Sequence, residues 1–187
     1  MRHRTVEGVG INDATYPVGK GKCPYYQVWL SMLQRCYSPR CQQNWPNYIG
    51  CSVVEDWHLF SKFKSWMEVQ DWQNKVLDKD LLVPGNKIYG PHACMFVSQS
   101  INTLLNDQPN KQGKHPTGVR EYRPGKYRAS FRKNKIHQHV GVFDCPNEAA
   151  IAYKNAKADW VMEVAAEQSD LRLKNALYAA AKSIRGL

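Results

Sequence analysis

The feature that most constrains the fold is an alternation of polar and apolar side chains between residues 119 and 143. Tyr127, Ala129 and Phe131 fall on one side of an extended chain, and basic residues fall on the other side. Two turn signals divide this segment into three parts, which predicts a three-stranded antiparallel meander with one basic face. The predicted strands are 119–123, 126–132 and 136–143, joined by turns at Pro124-Gly125 and Lys133-Asn134.

Segments whose apolar residues have helical spacing lie before and after this meander in the chain. After Cys145, Pro146 suits a first helical position, and Tyr153 and Trp160 recur with alanines on one stripe that would cover the apolar side of the sheet. A last amphipathic helix follows Ser169. Earlier in the chain, the same spacing predicts a helix over 24–37 and another that begins at Asp56. The aromatic residues of these helices are expected in a core, because they share one stripe.

Between residues 76 and 105 the pattern predicts a small ββα unit. A short strand at 76–78 is followed by the turn signal Pro84-Gly85-Asn86, and residues 87–89 would return as a second strand. An apolar run at 94–97 then leads into a helix that ends near Leu105.

Length and composition fit an α+β protein of two domains. The chain has 187 residues and is 43% hydrophobic, and it lacks both a membrane-length apolar run and a secretory signal pattern. We therefore expect a cytoplasmic protein with no membrane partner. The polar segment before residue 118 predicts a linker. The expected divisions are an extension at 1–24, a ββα domain at 25–106, a linker at 107–117, a sheet domain at 118–166 and a C-terminal helix at 167–187.

The charge of the chain favours a polyanionic partner. The formal net charge is +10, and residues 113–143 hold eight basic residues against the single acid Glu121. A solubilising surface is the alternative, but such concentration of charge is typical of nucleic-acid binding, where released counterions drive association.

The six cysteines permit disulfides, a zinc site or free thiols. Without a signal peptide, reduced thiols are expected. Cys36 and Cys41 are separated by four residues, and the tight Cys-x2-Cys pairs of zinc knuckles are missing. A structural zinc site is the alternative.

The basic meander resembles the AP2/ERF-like DNA-binding domain over about fifty residues. The motifs that carry the resemblance are Gly118-Val119-Arg120, Gly125-Lys126-Tyr127-Arg128-Ala129, Val140-Gly141-Val142-Phe143-Asp144 and Glu148-Ala149-Ala150-Ile151-Ala152-Tyr153. It implies that the exposed side of the sheet contacts double-stranded DNA, whereas Tyr127 alternates inward. His137 and His139 share one strand face, where phosphate contact or solvent exposure is expected rather than a metal. The implied contact residues are Arg120, Arg123, Lys126, Arg128 and Arg132.

The segment Leu77-Asp78-Lys79-Asp80, with the apolar run at 94–97 and Asn102, is similar to the HNH (His-Me finger) nucleases. Such nucleases accompany basic domains of this kind in phage proteins. The resemblance implies a metal-dependent DNA endonuclease, with Mg²⁺ or Mn²⁺ held at Asp78 and Asn102. Asn86 would stand in the loop of that motif.

Lys79 occupies the position where the family has its general-base histidine. A lysine ammonium is protonated at neutral pH and cannot accept a proton. Lys79 would act as an unusual base only if burial keeps it neutral; if charged, it would stabilise the transition state. Otherwise another residue serves as the base, for which His92 and His58 are candidates, or the site is inactive. In the alternative interpretation, residues 78–80 form a surface turn with a local ion pair.

Three functions remain open from the sequence. The first is a phage-type DNA endonuclease in the cytoplasm of an infected host. The second is a catalytically inactive DNA-binding regulator, or an inhibitor of a host nucleoprotein, on the same scaffold. The third is RNA binding, in which Tyr122 would stack on unpaired bases.

Overall fold

The computed structural model describes residues 5–19, 21–105 and 114–186 and is of the α+β class. The chain divides into two compact units, Met1–Gln99 and Ser100–Leu187. Most of the predicted linker, residues 107–113, lies outside the described residues. Across the described ranges, every helix is too short or too polar to cross a bilayer.

The first unit holds mostly helices with two small two-stranded sheets. Helix α1 has the predicted bounds: it begins at Pro24, buries the predicted stripe that includes Trp29 and Leu33, and ends before Pro39. The elements are α1 Pro24–Tyr37, α2 Pro39–Asn44, β1 Ser52–Val53, α3 Phe60–Glu68, β2 Lys75–Asp78, β3 Ile88–Tyr89 and β4 Met95–Ser98. Helix α4, Gln99–Leu105, follows β4 directly; it begins at the last residue of this unit and otherwise belongs to the second.

The helix predicted to begin at Asp56 begins instead at Phe60, so that prediction was wrong by one turn. Residues 55–58 form a single 3₁₀ turn, with Trp57 buried. Ile11 explains the break, because its backbone N–H donates to the carbonyl of His58 and its carbonyl accepts from the N–H of Phe60. These two hydrogen bonds hold the chain extended at Leu59.

The predicted N-terminal extension packs against the core of the first unit. Val6 and Gly10 form a small bridge, and Val6 and Val9 lie against the core cluster. Gly10 approaches α1 so closely that an added Cβ would lie 2.4 Å from a methyl carbon of Leu33. Only a glycine fits this approach.

The strand pairing around residues 76–98 differs from the prediction. β3 does not return beside β2: it pairs in parallel with β1, and β2 pairs antiparallel with β4, with Asp78 opposite Met95. The fully apolar β4 buries three of its four residues, so it supplies the better partner for β2. The Pro84-Gly85-Asn86 turn instead leads the chain across to β1.

The second unit contains the predicted meander. The strands follow in the order β5-β6-β7, and Ala129 lies between Val119 and Gly141 on neighbouring strands. Tyr127, Ala129 and Phe131 pack toward the helix, as predicted. The elements are β5 Val119–Arg123, β6 Lys126–Lys133, β7 Ile136–Phe143, α5 Pro146–Ala166 and α6 Leu171–Arg185.

Helix α5 covers the inner side of this sheet. It begins at the predicted Pro146, and Tyr153 and Trp160 contact Phe131 with ring centroids 6.2 Å and 5.5 Å away. Gly118 is required here because it has φ +77° and an added Cβ would lie 2.1 Å from the Tyr153 ring. The inner side of the sheet therefore forms part of the hydrophobic core of this unit.

Candidate nucleic-acid interface

The outer side of the sheet carries the basic residues predicted from the alternation. Because successive side chains of a strand point to opposite faces, burial of Tyr127, Ala129 and Phe131 turns their neighbours outward. Arg120 lies opposite Arg128 in the ladder. We call this surface the basic face; its members are Arg120, Arg123, Lys126, Arg128 and Arg132.

Register and ion pairs distinguish the members of the basic face. Lys126 is paired with Asp144 at the sheet margin. In the described part of the chain, neither Arg120 nor Arg132 has an ion-pair partner, and both are exposed. An exposed, unpaired guanidinium keeps its full charge and donor set for an external anion.

Arg128 is held in place by Tyr122. The guanidinium carbon lies 4.2 Å from the centroid of the Tyr122 ring, a cation–π contact. The Nε of Arg128 is buried and has no hydrogen-bond partner. Alternation places Tyr122 on the same side as Arg120, but it does not show which residue of β6 lies beside it; the pairing of Arg120 with Arg128 brings Tyr122 and Arg128 together.

A hollow of about 330 Å³ lies at one end of the basic face. Backbone pairing explains it: Ser130 on β6 donates its N–H to the carbonyl of Gly118, the residue before β5, so two of the smallest residues lie next to each other. Longer side chains surround them. We call this feature the sheet hollow; its lining is Thr117, Gly118, Val119, Arg120, Ser130, Phe131, Arg132 and His137.

His137 and His139 lie outward on β7, as predicted. His137 is opposite Arg132 and His139 is opposite Ser130. Both imidazoles are exposed, and His137 lines the sheet hollow. The sheet therefore presents histidines and arginines on the same surface.

The loop after β2 holds the residues that resemble a nuclease motif. Asp78 accepts hydrogen bonds at Oδ1 from the N–H groups of Asp80 (3.0 Å) and Leu81 (2.8 Å). Burial raises the pKa of the Asp78 carboxyl, and these backbone donors oppose that effect. Asp78 thus stabilises its own turn.

Lys79 is buried, with its side chain 8% exposed. Its ammonium donates to a carboxylate oxygen of Asp80 at 2.9 Å and to the backbone carbonyl of Asn86 at 3.0 Å. The Asn86 amide in turn donates to the carbonyls of Lys79 and Ile88, both at 2.7 Å. Lys79 and Asn86 therefore close the loop from both sides.

The other candidate site residues have separate surroundings. His92 is exposed in the turn before β4, and Asn102 lies half-buried on α4. His58 contacts Tyr37, whose hydroxyl lies 3.4 Å from the imidazole Nε2. Asp78, Lys79, Asp80 and Asn86 are the candidates that one loop brings together.

The described residues around Asp78 form no ready-made cluster of ligands for a divalent metal ion. Among residues 5–19, 21–105 and 114–186, no three His, Cys, Asp or Glu side chains are grouped so as to hold one. One oxygen of Asp78 already accepts two backbone hydrogen bonds, and the Lys79 cation is close enough to act on its charge. Burial also raises the pKa of Cys36 and Cys94 to about 12, which favours thiols over the thiolates that bind zinc.

By fold, the chain is an α+β protein with a basic three-stranded antiparallel sheet backed by a helix. Comparison with protein-family models, with curated proteins and with solved structures gives no match to this chain. The resemblances to AP2/ERF-like domains and HNH nucleases therefore stay predictions.

Proposed function

We propose that this chain binds double-stranded DNA through the basic face of its three-stranded sheet. The observation that carries the proposal is the separation of the two sides: the aromatic residues of β6 pack on α5, and unpaired arginines occupy the opposite side. The cationic surface is thus held by a rigid element whose other side is core, which suits a docking surface for phosphates and base edges.

The dimensions of the sheet support a duplex partner. Three strands at about 4.8 Å spacing span roughly 10 Å, and the major groove of B-form DNA is about 12 Å wide. The major groove of A-form RNA is deep and narrow, and side chains cannot enter it. One face of the Tyr122 ring, the aromatic group offered for stacking on unpaired bases, is already occupied by the Arg128 guanidinium, although the side chain is 55% exposed. Both points favour duplex DNA over RNA.

Binding of labelled duplex DNA, single-stranded DNA and duplex RNA tests the proposal directly. We expect the duplex DNA to bind most tightly, with affinity that falls steeply with salt. Arg128→Ala and Arg132→Ala should each weaken duplex binding by about 1–3 kcal/mol. Arg172→Ala removes the same charge from α6 and serves as the matched control. Equal affinities for the two sheet variants and the wild type would refute the proposal.

Phosphodiester cleavage is the second candidate function. The observation in its favour is the order of elements: β2 ends at Asp78, β4 pairs with β2, and α4 with Asn102 follows β4 directly. The observation against it is the engagement of Lys79 and Asp78 in closing their own loop. The catalytically inactive DNA-binding protein is favoured on these contacts.

A plasmid-cleavage assay with Mg²⁺ or Mn²⁺ separates these two functions. Asp78→Asn is the informative variant, because an asparagine Oδ1 still accepts from Asp80 and Leu81 whereas the carboxylate charge is lost. Cleavage that EDTA and Asp78→Asn both abolish would establish the nuclease. Intact duplex binding without cleavage would support the non-catalytic protein.

A further inference from the structure

The sheet hollow has the chemistry of an anion site. Its lining residues include Arg120, Arg132, His137, Thr117 and Ser130, all of which carry hydrogen-bonding side chains, and none of the lining residues is acidic. A guanidinium group donates hydrogen bonds and accepts none. Arg120 and Arg132 are both exposed and have no ion-pair partner in the described chain. The hollow therefore offers two fixed positive charges and many donors to one ligand.

The shape and volume of the hollow further restrict the kind of ligand that it can hold. Its floor is formed where Gly118 faces Ser130, and the arginines rise on either side, from β5 and from β6. A volume of about 330 Å³ is many times the space that one water needs. There is room for a phosphate together with the sugar attached to it, and not only for a simple ion.

We propose that the sheet hollow binds one phosphate group of a nucleic acid together with its attached sugar. This inference rests on the proposed function and deepens it, because it assigns different tasks to different members of the basic face. The hollow, with Arg120 and Arg132, holds the backbone and fixes the register. Arg128, which is oriented by Tyr122 and is not part of the hollow lining, remains for base edges.

Filling the hollow without changing the charge is the sharpest test. Ser130→Leu places a branched side chain on its floor, and Ser130 lies on the half-exposed outer side of β6, so the core is untouched. We expect duplex affinity to fall about tenfold and the salt slope to fall by about 1. Ser169→Leu, at an exposed serine before α6, is the matched control.

A titration of the full chain with inorganic pyrophosphate tests the hollow without any duplex. The backbone amide resonances of Gly118 and Ser130 should shift and saturate in the wild type. Pyrophosphate should leave the amide resonances of residues 118 and 130 unshifted in Ser130→Leu and in Arg132→Gln. The second variant keeps a long polar side chain. Amide spectra that retain their dispersion show that both variants are folded.

The outcomes separate the two proposals. If the wild type does not bind duplex DNA yet pyrophosphate shifts Gly118 and Ser130, the proposed function fails and the hollow stands as a phosphate site for another ligand. If duplex DNA binds and Ser130→Leu equals Ser169→Leu, the inference is overturned and the proposed function stands.

Comparing the affinities of duplexes whose 5′ ends carry a phosphate or a hydroxyl identifies which phosphate of the duplex occupies the hollow. Tighter binding of phosphorylated ends assigns the hollow to a terminal monoester, and equal binding assigns it to an internal diester. In either case Ser130→Leu must weaken the complex, or the inference fails.

Discussion

Asn86→Asp replaces one NH₂ group by an oxygen in the loop that Lys79 closes. The Asn86 amide nitrogen donates to the carbonyls of Lys79 and Ile88, both at 2.7 Å, and its oxygen accepts from the N–H of Ile88 at 3.1 Å. An aspartate keeps only the last of these bonds. Two lost hydrogen bonds cost about 2 kcal/mol, and two carbonyls left facing a carboxylate add about 1–2 kcal/mol.

The new charge partly offsets this cost. The Lys79 ammonium already bonds to the backbone carbonyl of Asn86, and an added nearby carboxylate contributes up to about 1 kcal/mol at a half-exposed position. We therefore expect Asn86→Asp to lower the free energy of unfolding by about 2–3 kcal/mol. Urea denaturation at neutral pH measures this loss as a lower midpoint with an unchanged m-value.

Asn175→Asp makes the same chemical change at an exposed position of α6 and should leave the midpoint nearly unaltered. If Asn86→Asp were as stable as this control, the loop would not depend on the amide. The hydrogen bonds of the Asn86 amide would then not be what holds the loop closed around Lys79.

Two further predictions concern stability, and one concerns the turn at Asp78. Burial raises the pKa of Cys36 and Cys94 to about 12, above that of an unfolded thiol near 8.5, so folding favours the protonated form. This stabilisation is complete at neutral pH and declines as the pH rises from about 8.5 toward 12. Because Cys94→Ala lacks one of the two thiols, its urea midpoint and that of the wild type should converge across this pH range. Gly118→Ala should cost about 2–5 kcal/mol, from its φ of +77° and the clash with Tyr153; a calorimetric midpoint like that of the wild type would contradict it. Asp78→Ala should destabilise by about 1–2 kcal/mol more than Asp78→Asn in urea, because alanine leaves two backbone N–H groups without their acceptor.

Local patterns were sufficient to predict much of the fold. The stripe with Trp29 and Leu33 and the Pro24 start determine α1, and the alternation around Ala129 determines the meander. Both signals are properties of consecutive residues. The predictions failed where a distant segment decides the outcome: Ile11 takes over the hydrogen bonds that would have begun α3 at Asp56.

The pairing of β3 with β1 has the same cause. Residues 52 and 88 lie far apart in the chain, and the backbone hydrogen bond from Ser52 to the carbonyl of Lys87 leaves no signal at either residue. The turn at Pro84-Gly85-Asn86 was visible, but a turn signal does not say which strand comes next to which.

The basic face was predictable and the sheet hollow was not. Alternation alone gives the side on which Arg120, Arg128 and Arg132 lie. The hollow depends on register, because Gly118 must face Ser130, and the Arg128–Tyr122 contact depends on the pairing of Arg120 with Arg128. Neither is visible before the strands are aligned.

The salt dependence of duplex DNA binding tests the central claim most directly. Each phosphate contact contributes about 0.9 to the slope of log affinity against log salt concentration. For the double variant Arg128→Ala and Arg132→Ala, we expect weaker binding and a slope smaller by up to about 2, with Arg172→Ala unchanged. A double variant with the affinity and slope of the wild type would show that the basic face does not bind the duplex.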